Sequence, residues 1–312
     1  MLVCLYGNHI LLLQKARRFV VYFFNIHTIS NTTTMRFILT IFALLPVMAL
    51  AQNNPAILFN STKTMETTGK TLKVKKITLP KTEPLKALAH AMDSAAIEYN
   101  DIDITNWADY PYPTASVQFR IAYTDNTICL QYSVKEPYIK ATSKKDTGSA
   151  PYKDSCVEFF VIPDGKHYYN LEQNCIGVGT FAGGAERTNR TKYTQDILDK
   201  IQRHSTIPAE LFIQKDTWSA EEIRNIKDQN LLNILPDNLL QGDLICWQLD
   251  IILPIELFTL KEVGNLQGKT VTANFYKCGD DMPVRHYLSW NPIGLERPNF
   301  HSPQYFGTLI FE

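Results

Sequence analysis

Residues 116–134 read SVQFRIAYTDNTICLQYSV. Val117, Phe119, Ile121 and Tyr123 alternate with Ser116, Gln118 and Arg120, Thr124-Asp125-Asn126 supplies a turn, and Ile128, Leu130, Tyr132 and Val134 then alternate again. A period of two on both sides of a turn predicts a β-hairpin with one buried face. The same signals recur outward along the chain. Residues 156–162 (CVEFFVI) form a mostly apolar strand that ends at Pro163-Asp164-Gly165, and residues 167–178 return from that turn. Further strands are expected at residues 71–79, 246–253, 270–278, 286–290 and 306–311. Helical spacing is confined to residues 84–100, 193–201 and 219–232, the last with Ser219 and Glu222 in capping-box positions. Many strands joined by turns, with short helices in the connections, predict an all-β fold, an antiparallel β-sandwich or jelly roll. Residues 186–242 are read as a decorated connection inside one domain of residues 71–312.

The segment before that domain has a different character. Met35-Arg36 precedes an apolar run over residues 37–45, and Ala49-Leu50-Ala51 follows. This is the pattern of a signal peptide spanning residues 35–51, with cleavage after Ala51 and export to the periplasm or beyond. The run is too short for a stable membrane anchor. Residues 1–34 are then a start-site extension. The rival reading, a membrane segment at residues 10–24, is interrupted by Lys15, Arg17 and Arg18. Residues 52–70, polar and threonine-bearing, read as a linker.

Composition narrows the partners. The chain has 312 residues and zero formal net charge with no basic stripe, which argues against nucleic acid. None of its six cysteines forms a C-x-x-C pair, so spacing gives no zinc or redox motif. Five of the six fall after Ala51, an odd number that does not complete a disulfide framework.

Chemistry concentrates on the strand pair that follows Ser155. Glu158 stands in an apolar strand, where a carboxylate costs several kcal/mol unless it is paired or faces a polar cleft. The next strand places Tyr168, Asn170, Glu172 and Asn174 on one face. Glu158 and Glu172 meet only if the turn register sets them opposite, because a slip of one residue separates them. Asp280, Asp281 and His286 fit no metal loop and read as a turn with solvated carboxylates, although a structural Ca²⁺ held by loop carboxylates and carbonyls is also open. The glycines of GTFAGGAE lack nucleotide-loop spacing, and neither G-x-S-x-G nor H-E-x-x-H occurs.

The segments DSCVEFFVIPDG, YYNLEQNCIG, NFYKCGDD, HYLSWNPI and PNFHSPQYFGTLIFE, in that order, resemble the family 9 carbohydrate-binding modules. The resemblance runs over roughly residues 97–312. It implies a β-sandwich that binds an oligosaccharide or polysaccharide without cutting it, often beside glycoside hydrolases of the same system. In such modules two tryptophans clamp a sugar ring, and their places fall on Tyr152 and Phe300. The family's strand glutamate falls on Glu158. A family arginine falls near Glu172, a reversal of charge. Tyr276 lies near a polar family contact and Arg297 near a family asparagine. His301 shares the proline-held loop of Phe300. Trp107 and Trp290 are read as core.

Three functions follow as expectations. The first is a non-catalytic sugar-binding module using Tyr152, Glu158, Glu172, Asn174, Tyr276, Arg297, Phe300 and His301. The second is a glycoside hydrolase with Glu158 and Glu172 as its carboxyl pair. The third is a haem-binding relative with Met282 and either His286 or His301 as axial ligands.

Overall fold

The computed structural model describes residues 69–226 and 234–312. The predicted extension, the signal peptide, nearly all of the linker and the end of the 219–232 helix lie outside them. Among the described residues, no helix is long and apolar enough to cross a membrane.

The main strands are β1 (Thr71–Lys76), β2 (Ser116–Tyr123), β3 (Thr127–Glu136), β4 (Cys156–Ile162), β5 (Tyr168–Asn174) and β6 (Gly179–Gly184). They continue with β7 (Gln202–Ser205), β8 (Leu244–Pro254), β9 (Thr270–Gly279), β10 (His286–Ser289) and β11 (Gly307–Phe311). One sheet runs β6-β5-β4-β9-β11-β1, with β10 along the far end of β9, and the second runs β1-β2-β3-β8-β7. The first strand belongs to both: Thr71 to Val74 pair in parallel with β11, and Lys75 and Lys76 pair in parallel with β2. All other neighbours within these two paths are antiparallel.

The sheets pack face to face, as the alternation requires. Val157, Phe159 and Val161 of β4 point inward, beside Leu171 of β5 and Phe275 of β9. Phe119 of β2 stacks on Phe275 at 3.5 Å between ring centroids, and Trp290 meets both rings edge-on. A fully buried polar bolt joins the two sheets. The Lys277 Nζ of β9 lies 3.0 Å from the Glu136 carboxylate of β3, which also accepts from Trp247 Nε1 at 2.8 Å and Tyr112 OH at 3.0 Å.

The β2–β3 hairpin departs from the expectation of one buried face. Its outer face is covered by the helix Pro84–Ser94, which packs Leu88 and Met92 on Ala122, Cys129 and Ile252. Arg120 and Gln131 are therefore buried there. They are satisfied by each other at 2.8 Å, by Asp93 at 2.5 Å and by Asp250 at 2.6 Å. The predicted capping box is present in the helix Ala220–Arg224, with Ser219 Oγ accepting from the Glu222 N–H. The 193–201 segment is helical only over Gln195–Leu198.

Candidate functional site

The site forms on the outward face of the first sheet. Outward residues alternate with the core set, so β4 presents Cys156, Glu158 and Phe160, β5 presents Tyr168, Asn170 and Glu172, and β9 presents Asn274, Tyr276 and Cys278. The turn after β4 fixes the register. Asp164 Oδ1 accepts from the Lys166 and His167 N–H groups at 2.8 and 2.7 Å, and Gly165 takes a φ of 76° that suits glycine. Glu158 and Glu172 are consequently direct cross-strand partners.

Over this face the chain builds a cavity of about 280 Å³. Glu158, Glu172 and Cys278 line it from the sheet, Tyr152 from the Pro151–Lys153 turn, Asp280 and Tyr287 from the β9–β10 hairpin, and Phe300 and His301 from the loop before β11. The Tyr152 loop is fastened through its backbone, its carbonyl accepting from the Asp280 N–H at 2.9 Å. That leaves Tyr152 41% exposed at the rim. Phe300 is only 8% exposed. It lies flat on Tyr276 at 4.1 Å between centroids, with Trp107 and Tyr287 about its edges. Phe300 therefore both plugs an aromatic cluster and walls the cavity.

Electrostatically the floor is an acid group short of cations. Burial pushes the Glu158 carboxyl well above the usual range, and neighbouring Cys278 and Glu172 add to it. Burial likewise raises Glu172 and Asp280. The raised carboxyls favour the neutral acid, which both donates and accepts. Positive charge arrives from a loop. Arg190 donates to Asn170 Oδ1 at 2.6 Å, and Asn170 Nδ2 donates to Glu172 at 2.8 Å; Arg187 lines the cavity itself.

Three of the expected residues fall outside the cavity lining. Asn174 is consumed structurally: Nδ2 donates to the Ser143 carbonyl at 2.8 Å and to Asp154 at 3.0 Å, and Oδ1 accepts from the Ile176 and Val178 N–H groups. Tyr276 is fully buried beneath Phe300 and supports it from behind. Arg297 is exposed and does not reach the cavity. Conversely, Asp280 is drawn into the cavity, against its reading as a solvated turn residue. Asp280, Tyr287, Cys278, Asn299 and Arg187 are the contributors that linear spacing does not reveal, because a hairpin return and a crossing loop deliver them. A wider groove of about 880 Å³ beside Asn126, Pro254 and Phe258 carries no buried ionisable side chain.

The geometry also weighs the rival chemistries. Glu158 and Glu172 rise side by side from one sheet face as direct cross-strand partners. The His286 ring is engaged at both nitrogens, by the Val284 carbonyl at 2.7 Å and Lys277 Nζ at 2.9 Å, and Tyr112 stacks on it at 3.7 Å. It offers haem no free axial position beside Met282.

His301 gives the site a pH signature. Its Nδ1 lies 3.0 Å from Tyr168 OH, and burial, with Arg190 and Arg187 nearby, lowers its pKa to about 4. The unfolded chain takes up this proton near the ordinary value of about 6.5, the folded chain only near 4. Stability is therefore lost as pH falls from about 6.5 towards 4, by about 1–3 kcal/mol for this partly exposed group. Melting His301→Gln beside the parent across this window is expected to show a shallower acid decline in the variant. Parallel curves would refute the assignment.

The family model for carbohydrate-binding family 9 matches residues 86–229 and 215–311. A crystal structure from Bacteroides uniformis ATCC 8492, provisionally described as a carbohydrate-binding protein, is 38% identical with a TM-score of 0.66; the match covers 78% of this chain and 100% of that one. Two structures of a family 9 carbohydrate-binding module from Caldicellulosiruptor kristjanssonii, in complex with cellotriose and with glucose, are each 12% identical with a TM-score of 0.43. Those matches cover 78% of this chain and 94% and 96% of the modules, and they are too distant to place any residue. No curated protein matches the chain.

Proposed function

Because this chain belongs to carbohydrate-binding family 9, we propose that the cavity over Glu158 and Glu172 holds a sugar, which the protein binds without cleaving. One observation carries the reading: flat apolar walls and directional polar groups converge on one small hollow. Phe300 and the Tyr152 ring supply faces for the C–H side of a pyranose, and Glu158, Glu172, Asp280 and His301 supply partners for its hydroxyls. That division of labour is what a polyhydroxylated ring needs. A hollow of about 280 Å³ suits one ring rather than a long chain laid across a surface. A terminal or single sugar unit is thus the ligand class. The reading extends to an exported protein serving polysaccharide breakdown or uptake alongside glycoside hydrolases, supported by the Arg36-led apolar run and the Ala49-Leu50-Ala51 site.

The test is a calorimetric titration of the exported protein, whose N-terminus is expected at Gln52, with glycan-array hits. Tyr152→Ala is expected to weaken binding about tenfold, the worth of one stacking face, while leaving the melting temperature unchanged. Equal binding by parent and variant for every hit would remove Tyr152 from the site. An array without hits would count against the sugar reading itself.

A further inference from the structure

Two thiols and one carboxyl converge at the cavity floor, Glu158 and Cys278 lining it and Cys156 buried beside them. Cys156 and Cys278 are direct partners across β4 and β9, and Glu158 lies two residues along the same face of β4. Cys156 Sγ, Cys278 Sγ and a Glu158 carboxylate oxygen all lie within 4.8 Å of one another. The three residues are buried, at 0, 2 and 3% exposure. Glu158 Oε1 is 3.0 Å from Cys278 Sγ and 3.9 Å from Cys156 Sγ. A tetrahedral zinc ion with Zn–S near 2.3 Å and Zn–O near 2.1 Å sets sulfur and oxygen about 3.6 Å apart. The two observed distances bracket that value, and the two sulfurs lie within 4.8 Å of each other.

The surroundings favour a cation as well. Among the described residues, the two thiols are the only groups that donate to the Glu158 carboxyl; no lysine, arginine or backbone N–H does. Its cross-strand neighbour is another buried carboxyl, Glu172. A buried acid facing two thiols and a second acid is a poor arrangement for an empty core and a good one for a metal. Two sulfur ligands select a borderline-soft ion over Ca²⁺ or Mg²⁺. Glu158 and Cys278 line the cavity, so a fourth position faces open space, where water or a ligand hydroxyl completes the shell.

We propose that Cys156, Cys278 and Glu158 form a zinc-type site with one position open to the cavity. This site does not depend on the sugar reading, and its test contains no sugar. Reduced, metal-free full-length protein is titrated with Co²⁺ and followed by absorbance. One equivalent is expected to bind with a near-ultraviolet thiolate charge-transfer band, and Zn²⁺ is expected to displace it. Cys278→Ala and Cys156→Ala are expected to weaken uptake by more than the roughly 10–100-fold attached to outer-sphere partners. X-ray absorption of the unmutated zinc-loaded protein, which needs no variant to fold, is expected to show two sulfur neighbours at about 2.3 Å. Absence of stoichiometric uptake, a cobalt spectrum lacking the sulfur band, or full uptake by Cys278→Ala would each overturn the assignment.

Discussion

Lys277→Met is expected to melt about 10 °C below the parent protein. The methionine roughly fills the space of the lysine stem but removes the cation that holds Glu136 at 3.0 Å. Both residues are fully buried. Trp247 Nε1 and Tyr112 OH still donate to the carboxylate, yet neither neutralises it. Breaking one half of a buried ion pair costs about 3–5 kcal/mol because the remaining charge is stranded. For a domain of this size that converts to about 2–4 °C per kcal/mol. The loss is expected to shrink when Glu136→Gln is added, since the stranded charge is then gone. Scanning calorimetry on the two variants decides it. A single variant within 2 °C of the parent would mean that the pair does not clamp the sheets.

Phe300→Ala is the second large effect, and it separates the two aromatics of the cavity. Phe300 is stacked on Tyr276 and enclosed by Trp107 and Tyr287. Its removal leaves a void in a packed cluster, which costs about 3–5 kcal/mol for a buried phenylalanine. Tyr152 is 41% exposed, and the effect of its truncation on stability is expected to stay within about 0.5 kcal/mol. Urea melts followed by tryptophan emission measure both. A Phe300→Ala protein as stable as the parent would show that the aromatic cluster relaxes to fill the gap, and would undo the assignment of Phe300 as a plug.

Much of this architecture is legible in the chain because alternation reports burial directly. The strand pair with Glu158 and Glu172 could be read down to its polar stripe, and Pro163-Asp164-Gly165 announced the turn that sets their register. Legibility fails where the physical cause is not local. β6 carries glycines rather than β-branched residues, because a Cβ on Gly183 would sit 2.7 Å from the Tyr169 ring and one on Gly184 would press on Arg190; the strand is selected by closeness, not propensity. β7 is polar and exists through its pairing with β8. Asn174 has the same stripe position as Glu172, yet its amide is spent on a turn and on Asp154, a distinction alternation cannot make. Cys156 and Cys278 show no metal spacing along the chain because sheet pairing, not sequence proximity, brings them together.

The strand shared by the two sheets also governs when the protein can fold. Val74 pairs with Phe311, and Lys75 with Ala122, so the strand that joins the sheets needs partners from near the start and from the very end of the domain. Sheet closure therefore waits for β11 to be synthesised. Such long-range closure makes folding slow, because loop entropy is lost before the contacts that reward it are formed. A nascent chain lacking its last strand keeps β1 and β9 as open edges, and shielding those edges becomes a task for the cell rather than for the sequence.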